Sequence, residues 1–343
     1  MLDLIQSLLD TLPEGVVQIR GGLVQACSGK ARQYLPQLAV GEPVPNQLAL
    51  SGEDGGGVGE FSREGAVYSY SCSAAGDELL VLIRPVSEGV LTGRQLEGVA
   101  YQLRTLLGDM LAEVGPSTAE EGGPVPAAAF GKTFHRLFRL LDNLELLQEA
   151  VPFHPVTMDL AGLCRDVVRP AAALLREAGV SLEYRSTESG LLIPGDPALL
   201  EKLLLELIAN AARASEGGGV VLGLRRQGGR AVLTVSHSGP PAVGPQLDAL
   251  LRPGVGEEPP LPGQGAGLGL SVARRIVALH RGSLLMEWGR SAPGAVVSLP
   301  TGPLDGKATV RTPVYLRDGG LDPVLMALSD LLPAQSFGLE GLD

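Results

Sequence analysis

The sequence predicts an α+β multidomain protein, and three observations carry that expectation. Short apolar and alternating segments set off by glycine turns fill residues 1–88. Two long stretches follow with apolar residues at steps of three and four, broken by a polar stretch. Helix and strand patterns then alternate over residues 152–300, around a run in which Gly265, Gly267 and Gly269 stand at every second position. The expected division is 1–88, 89–151, 152–300 and a tail at 301–343.

Composition narrows the class before any motif does. A chain of 343 residues, 45% of them hydrophobic, has core material for two or three globular domains. The net charge is −11 and no basic run or basic–aromatic stripe occurs, so nucleic acid is not an expected partner. Cys27, Cys72 and Cys164 are odd in number and far apart, as expected of small buried residues in a reducing compartment. No apolar run approaches the ~18 residues of a membrane span. The start carries Asp3 and Asp10 where a signal peptide has cations. The expectation is a soluble, cytoplasmic chain with no membrane span.

Taken in order, residues 2–12 read as a short helix ending at Pro13-Glu14-Gly15. Val16–Ile19 and Leu23–Ala26 read as strands around a Gly21-Gly22 hairpin turn. Gly52–Gly59 reads as a glycine-rich loop, and Tyr68–Ser73 and Glu78–Ile83 as strands. This order resembles a PAS-type sensor domain. No His or Cys stands out as a haem or flavin anchor, and a structural or dimerising module fits equally.

Residues 94–113 carry Leu96, Val99, Leu103, Leu106 and Met110 on one helical stripe. After a break at Gly115–Pro126, Phe130, Phe134, Leu137, Leu141 and Leu144 make a second stripe. Two such helices form a hairpin that needs cover for its apolar faces. A second copy, giving a four-helix bundle and a homodimer, is one source of cover; the chain's own domains are the other.

From residue 152 the pattern gives a helix over Met158–Ala178 and a strand over Ser181–Ser186. It continues with a helix over Asp196–Ser215 and strands at Gly219–Arg225 and Ala231–Ser236. The glycine run opens the next helix, and Ser283–Glu287 and Ala295–Leu299 complete a mixed sheet covered by one helix layer. In the tail, Asp322-Pro323 signals a helix start with Val324, Leu328 and Leu331 on its apolar face. It docks on the body or on a partner.

The chemistry concentrates at two places. Behind Gly265, Gly267, Leu268 and Gly269 a helix begins at once, so its free N–H groups face whatever sits in the loop, an arrangement that favours an anion. The dinucleotide and P-loop spacings are both absent. On the 196–215 helix, Glu206 and Asn210 share a face that is otherwise apolar. An Asn amide in mid-helix is a poor helix former, and its oxygen suits Mg²⁺; Arg213, one turn on, suits phosphate. A solvated helix edge is the structural alternative.

Together the two stretches resemble the N-box and second glycine box of the histidine-kinase-type (GHKL) ATPases, the family shared with gyrase, Hsp90 and MutL. The resemblance implies an α/β sandwich that takes ATP and Mg²⁺. It implies Asn210 as the Mg²⁺ ligand and Glu206 at the position used as general base by the hydrolysing members. The middle box departs from the family's Asp-x-Gly-x-Gly: here it reads His237-Ser238-Gly239-Pro240-Pro241. Neutral imidazole at His237 can accept one hydrogen bond from adenine but lacks the charge of the family's Asp, so ATP affinity is expected to be weak. Glu257 and Glu258 add like charge near the phosphates.

The hairpin resembles the same kinases' dimerisation and phosphoacceptor region. Where the family has His-Glu-Leu-Arg-Thr-Pro-Leu, this chain has Tyr101-Gln102-Leu103-Arg104-Thr105-Leu106-Leu107. The acceptor position holds Tyr101, a phenol that is a poor nucleophile at neutral pH without activation, and the acid beside it has become Gln102. Over residues 90–300 the chain thus resembles a sensor histidine kinase whose phosphoacceptor chemistry is lost. The resemblance leaves three alternatives: a phosphatase of a partner response-regulator receiver domain, using Thr105; an ATP-hydrolysing switch using Glu206 and Asn210; and an active kinase with a different acceptor. Against the phosphatase role, a Thr hydroxyl at that position can simply bond back to a helix carbonyl.

Overall fold

The computed structural model describes residues 14–45, 47–48, 57–64, 66–75, 78–86, 93–114, 127–147, 151–240, 268–287, 293–302 and 321–337. The helix expected at residues 2–12 lies outside them. Strands β1 (Gly15–Arg20) and β2 (Leu23–Cys27) form the expected hairpin. Gly21 and Gly22 turn it at φ +56° and +75°, where a Cβ would be strained. A helix not foreseen, α1 (Gly29–Tyr34), follows. Ser28 caps it, its Oγ accepting from Ala31 N at 3.2 Å and from Val16 N at 2.9 Å.

Strand β3 (Gly57–Arg63) corrects the expectation of a glycine loop over Gly52–Gly59, because from Gly57 onward the chain is a strand. The glycines make room for large neighbours. A Cβ on Gly59 would stand 2.2 Å from the ring of Tyr70, its partner across the strands, and one on Gly57 would stand 2.7 Å from Leu285 Cδ1. β4 (Ala66–Ala75) and β5 (Glu78–Val86) complete an antiparallel order β2-β1-β5-β4-β3.

Helices α2 (Gly93–Val114) and α3 (Ala127–Leu146) carry the two stripes and pack together. Next, β6 (Val156–Asp159) takes the start of the helix expected from Met158. The correction lies at Asp159, whose carboxylate accepts from Ala161 N at 3.1 Å and so caps α4 (Leu160–Glu177). β7 (Ser181–Ser186) and the unforeseen β8 (Leu192–Gly195) follow, β8 pairing with β6. Then come α5 (Pro197–Ala214), β9 (Gly219–Gln227), β10 (Arg230–His237), α6 (Leu268–Leu279), β11 (Ser283–Glu287) and β12 (Gly294–Pro300). The tail forms α7 (Pro323–Leu328), capped by Asp322 as expected, and a 3₁₀ turn at Ala334–Phe337.

The two strand sets join. β3 pairs antiparallel with β11, Gly59 opposite Leu285, to give one ten-stranded sheet ordered β2-β1-β5-β4-β3-β11-β12-β10-β9-β7. Side chains alternate across it. Ala231, Leu233 and Val235 on β10 and Ala295, Val297 and Leu299 on β12 face the helix layer of α4, α5 and α6. Val232, Val296 and Leu285 face the other way, into the core of the N-terminal strands. An ion pair adds to the join: Glu60 of β3 lies 3.4 Å from Arg274 of α6, both largely buried.

A histidine fixes the start of α5. The Asp196 amide donates to His280 Nε2 at 2.9 Å, so the ring proton sits on Nδ1 and is donated to Ile276 O at 2.8 Å. Burial pushes the His280 pKa down from its ordinary value. The unfolded chain therefore binds the proton more readily, and folding stability falls as pH drops through about 6.5. Urea midpoints at pH 7 and pH 5.5 are expected to differ in that direction, with a smaller difference in His280→Gln.

Candidate functional site

The site assembles around α5. Asp196 caps the helix, accepting from Ala198 N and Leu199 N, and Pro197 opens its first turn. Leu200, Leu203, Leu204 and Ile208 bury one face completely, which fixes the direction of Glu206, Asn210 and Arg213. Two of the expected boxes press on this helix. A Cβ on Gly269 would stand 2.5 Å from Glu206 Oε2 and 3.7 Å from Asn210 Nδ2. One on Gly239 would stand 1.8 Å from Ala214 O. Only glycine permits both approaches. The structure thus brings Glu206, Asn210, Arg213, Gly239, Leu268 and Gly269 together. Gly265, Gly267, Pro241, Glu257 and Glu258 lie outside the described residues.

His237 ends β10 beside Gly239, and burial pushes its pKa down, which keeps the ring neutral. Its Nδ1 is buried with no hydrogen-bond partner among the described residues.

Glu206 is not placed as a group that activates water. Its carboxylate is fully buried and held by Arg139 of α3, with Nη2 to Oε2 at 2.8 Å and Nε to Oε1 at 3.2 Å. Asn143 Nδ2 adds a contact at 3.4 Å, and Lys202 Nζ stands 3.8 Å away. Burial works to raise the Glu206 pKa, but Arg139, with Lys202 and Asn143, outweighs it and holds the carboxyl below the usual carboxylate range. The same pairing raises Arg139 against its own burial. A carboxylate so engaged is a structural anion.

The tail completes the arrangement. Asp330, just beyond α7, accepts from Arg136 Nε at 2.7 Å and Arg139 Nη1 at 2.9 Å, with Arg213 Nη2 at 3.3 Å. Arg213 Nη1 also reaches Asn210 Oδ1 at 3.4 Å, the oxygen expected to ligate Mg²⁺. With a cation on that oxygen and Glu206 sealed, these residues do not fit a Mg²⁺–nucleotide as they stand. Lys202 pairs with Asp142 of α3. Val324, Ala327, Leu328, Leu332 and Phe337 seat the tail in the main core, so it docks on the chain's own body.

Part of the apolar stripes is covered within the chain. Val99, Leu106 and Leu140 are buried against Leu268, the first residue of α6, with Leu103, Leu137 and Leu144 half-buried beside them. Leu141 and Phe138 stay exposed. Tyr101 is exposed on α2, and Thr105 Oγ1 donates to the Tyr101 carbonyl at 3.1 Å. That back-bond occupies the hydroxyl proton expected to orient water.

Sequence reading did not single out Arg136, Arg139, Asn143 or Asp330. A signal existed on α3, where Arg136, Arg139 and Asn143 recur at helical spacing between the apolar positions. For Asp330 no local signal exists, because its partners lie far back in the chain.

Among known proteins, residues 195–306 match the family of histidine kinase-, DNA gyrase B- and HSP90-like ATPases. The sensor protein CutS of Streptomyces coelicolor is 30% identical over 203 residues, covering 56% of this chain and 48% of that protein. The sensor histidine kinase ZraS of Salmonella typhi is 28% identical over 220 residues, 61% of this chain and 46% of that protein. The chain spans about half the length of these relatives. Of solved structures, the Acinetobacter baumannii histidine kinase AdeS aligns over 59% of this chain and 98% of its own, at 18% identity and a TM-score of 0.48. No helix among the described residues is long and apolar enough to cross a membrane. Over about half its length this chain is thus similar to sensor histidine kinases, and residues 195–306 match the histidine kinase-, DNA gyrase B- and HSP90-like ATPases.

Proposed function

We propose that the chain is a histidine-kinase-like signal-transduction protein that does not phosphorylate its own helical hairpin. The observation that carries this reading is the sealed carboxylate of Glu206, locked to Arg139 of the very hairpin a kinase would phosphorylate. Tyr101 at the acceptor position supports it, since a phenol without a neighbouring carboxylate is a poor nucleophile at neutral pH. Residues 1–88 act as a PAS-like sensing module, 89–151 as the dimerisation hairpin of a homodimer, 152–300 as the ATPase-like domain, and 301–343 as a tail that closes it. The partner is a response-regulator receiver domain, and the working compartment is the cytoplasm. ATP with Mg²⁺ is the ligand, bound weakly because His237 replaces a charged acceptor and because the site is closed. The Thr105 back-bond weighs against the phosphatase alternative.

Incubation with γ-labelled ATP and Mg²⁺, followed by mass spectrometry, tests the reading. The expected outcome is no covalent label on Tyr101 or on His135. Label on His135 would sink it.

A further inference from the structure

Three guanidinium groups from two distant parts of the chain converge on one carboxylate. Arg136 and Arg139 come from α3, Arg213 from the end of α5, and Asp330 from the tail. Asp330 offers two oxygens to the three cations, at 2.7, 2.9 and 3.3 Å, and its side chain is 7% exposed. Counting Glu206, two carboxylates face three arginines, so one positive charge is left over within the cluster. A planar fork of donors on each arginine matches phosphate oxygens as well as it matches carboxylate. Arg213 stands one turn beyond Asn210 on the helix that both glycine boxes approach.

We propose that Arg136, Arg139 and Arg213 form an anion site for the phosphate groups of a nucleoside triphosphate, and that the chain's own Asp330 fills it in the closed state. The proposal rests on the reading of residues 195–306 as a nucleotide-binding domain, and it accounts for the misfit between that domain and a Mg²⁺–nucleotide. While Asp330 is seated, Arg213 stays pinned between Asp330 and Asn210. When phosphate takes its place, Arg213 turns to the ligand and the Asn210 oxygen is released. Leu328, Leu332 and Phe337 anchor the segment that carries Asp330, and Lys132 Nζ holds the Leu332 carbonyl at 2.7 Å. Displacing Asp330 strains these anchors, so the intact chain binds nucleotide more weakly than its arginines alone would allow.

The experiment uses the full chain, with ATP and inorganic tripolyphosphate titrated calorimetrically into wild type and Asp330→Asn. Removing the internal charge is expected to tighten both ligands by about ten-fold. In wild type, saturating ATP is expected to speed hydrogen exchange at residues 328–332, a readout that needs no variant. A folded Asp330→Asn chain that binds ATP no better than wild type overturns the proposal. Tight ATP binding to wild type with 328–332 still protected also overturns it, while leaving the nucleotide reading intact. If neither protein binds either ligand at millimolar concentration, both readings fall. A gain for tripolyphosphate without one for ATP removes the nucleotide as the site's ligand.

Discussion

Arg139→Ala is expected to lower folding stability by about 3–5 kcal/mol, the cost of stranding a buried charge without its partner. Glu206 is completely buried, and after the change Asn143 at 3.4 Å and Lys202 at 3.8 Å remain beside it among the described residues. Asp330 loses one of its three arginines as well. An exposed ion pair would be worth about 0–1 kcal/mol, so the size of the loss separates a buried fork from surface decoration. Replacing both partners, as Arg139→Met with Glu206→Leu, is expected to recover most of the loss, because the desolvation cost leaves with the charges. Urea denaturation of the four proteins supplies the comparison. A single-site loss under about 1 kcal/mol would mean that α3 does not rest on α5 in solution.

The charge cluster also sets a pH limit. Burial raises the Asp330 pKa, but Arg139, Arg136 and Arg213 outweigh it and hold the carboxyl below its usual range. Glu206 is held down in the same way. Groups depressed on folding stabilise the fold above their unfolded pKa and lose that contribution as pH falls through the folded value. The tail is therefore expected to stay docked at neutral pH and to loosen only below about pH 4.

Gly59→Ala is the second large effect expected. An added Cβ would stand 2.2 Å from the ring of Tyr70, which is 1% exposed and packs against Phe61. Overpacking of this kind costs about 1–3 kcal/mol, occasionally more. The gain from restricting the unfolded backbone is about 0.4–1 kcal/mol and does not offset it. Because Gly59 also sits opposite Leu285, the strain falls on the seam between β3 and β11. Thermal unfolding that becomes biphasic, with the N-terminal strands melting first, is the expected signature. Unchanged, single-step melting would contradict a continuous sheet.

Much of the ATPase-type half was legible because its signals are local. The helix start at Asp196, the apolar face of α5 and the glycine before α6 each announce themselves within a few residues. Gly57 and Gly59 misled for a physical reason: glycine usually marks a loop, yet here it admits Tyr70 and Leu285 over a strand, and both neighbours lie beyond any local window. β6 and β8 were lost because four-residue strands carry too little alternation to be seen. The sequence singles out Glu206, Asn210 and Arg213 but not their partners. Arg139 and Asp330 meet them only through tertiary packing, and no periodicity encodes a contact between α3 and a tail that follows the last strand of the sheet.

The most direct measurement is a double-mutant cycle between Arg139 and Asp330, which meet at 2.9 Å although 191 positions apart. Arg139→Met, Asp330→Asn and the double variant are compared with wild type by equilibrium unfolding. If hairpin and tail close together over α5, the two changes couple by about 1 kcal/mol or more. Additivity within about 0.5 kcal/mol would contradict the closed cluster and, with it, the sealed site.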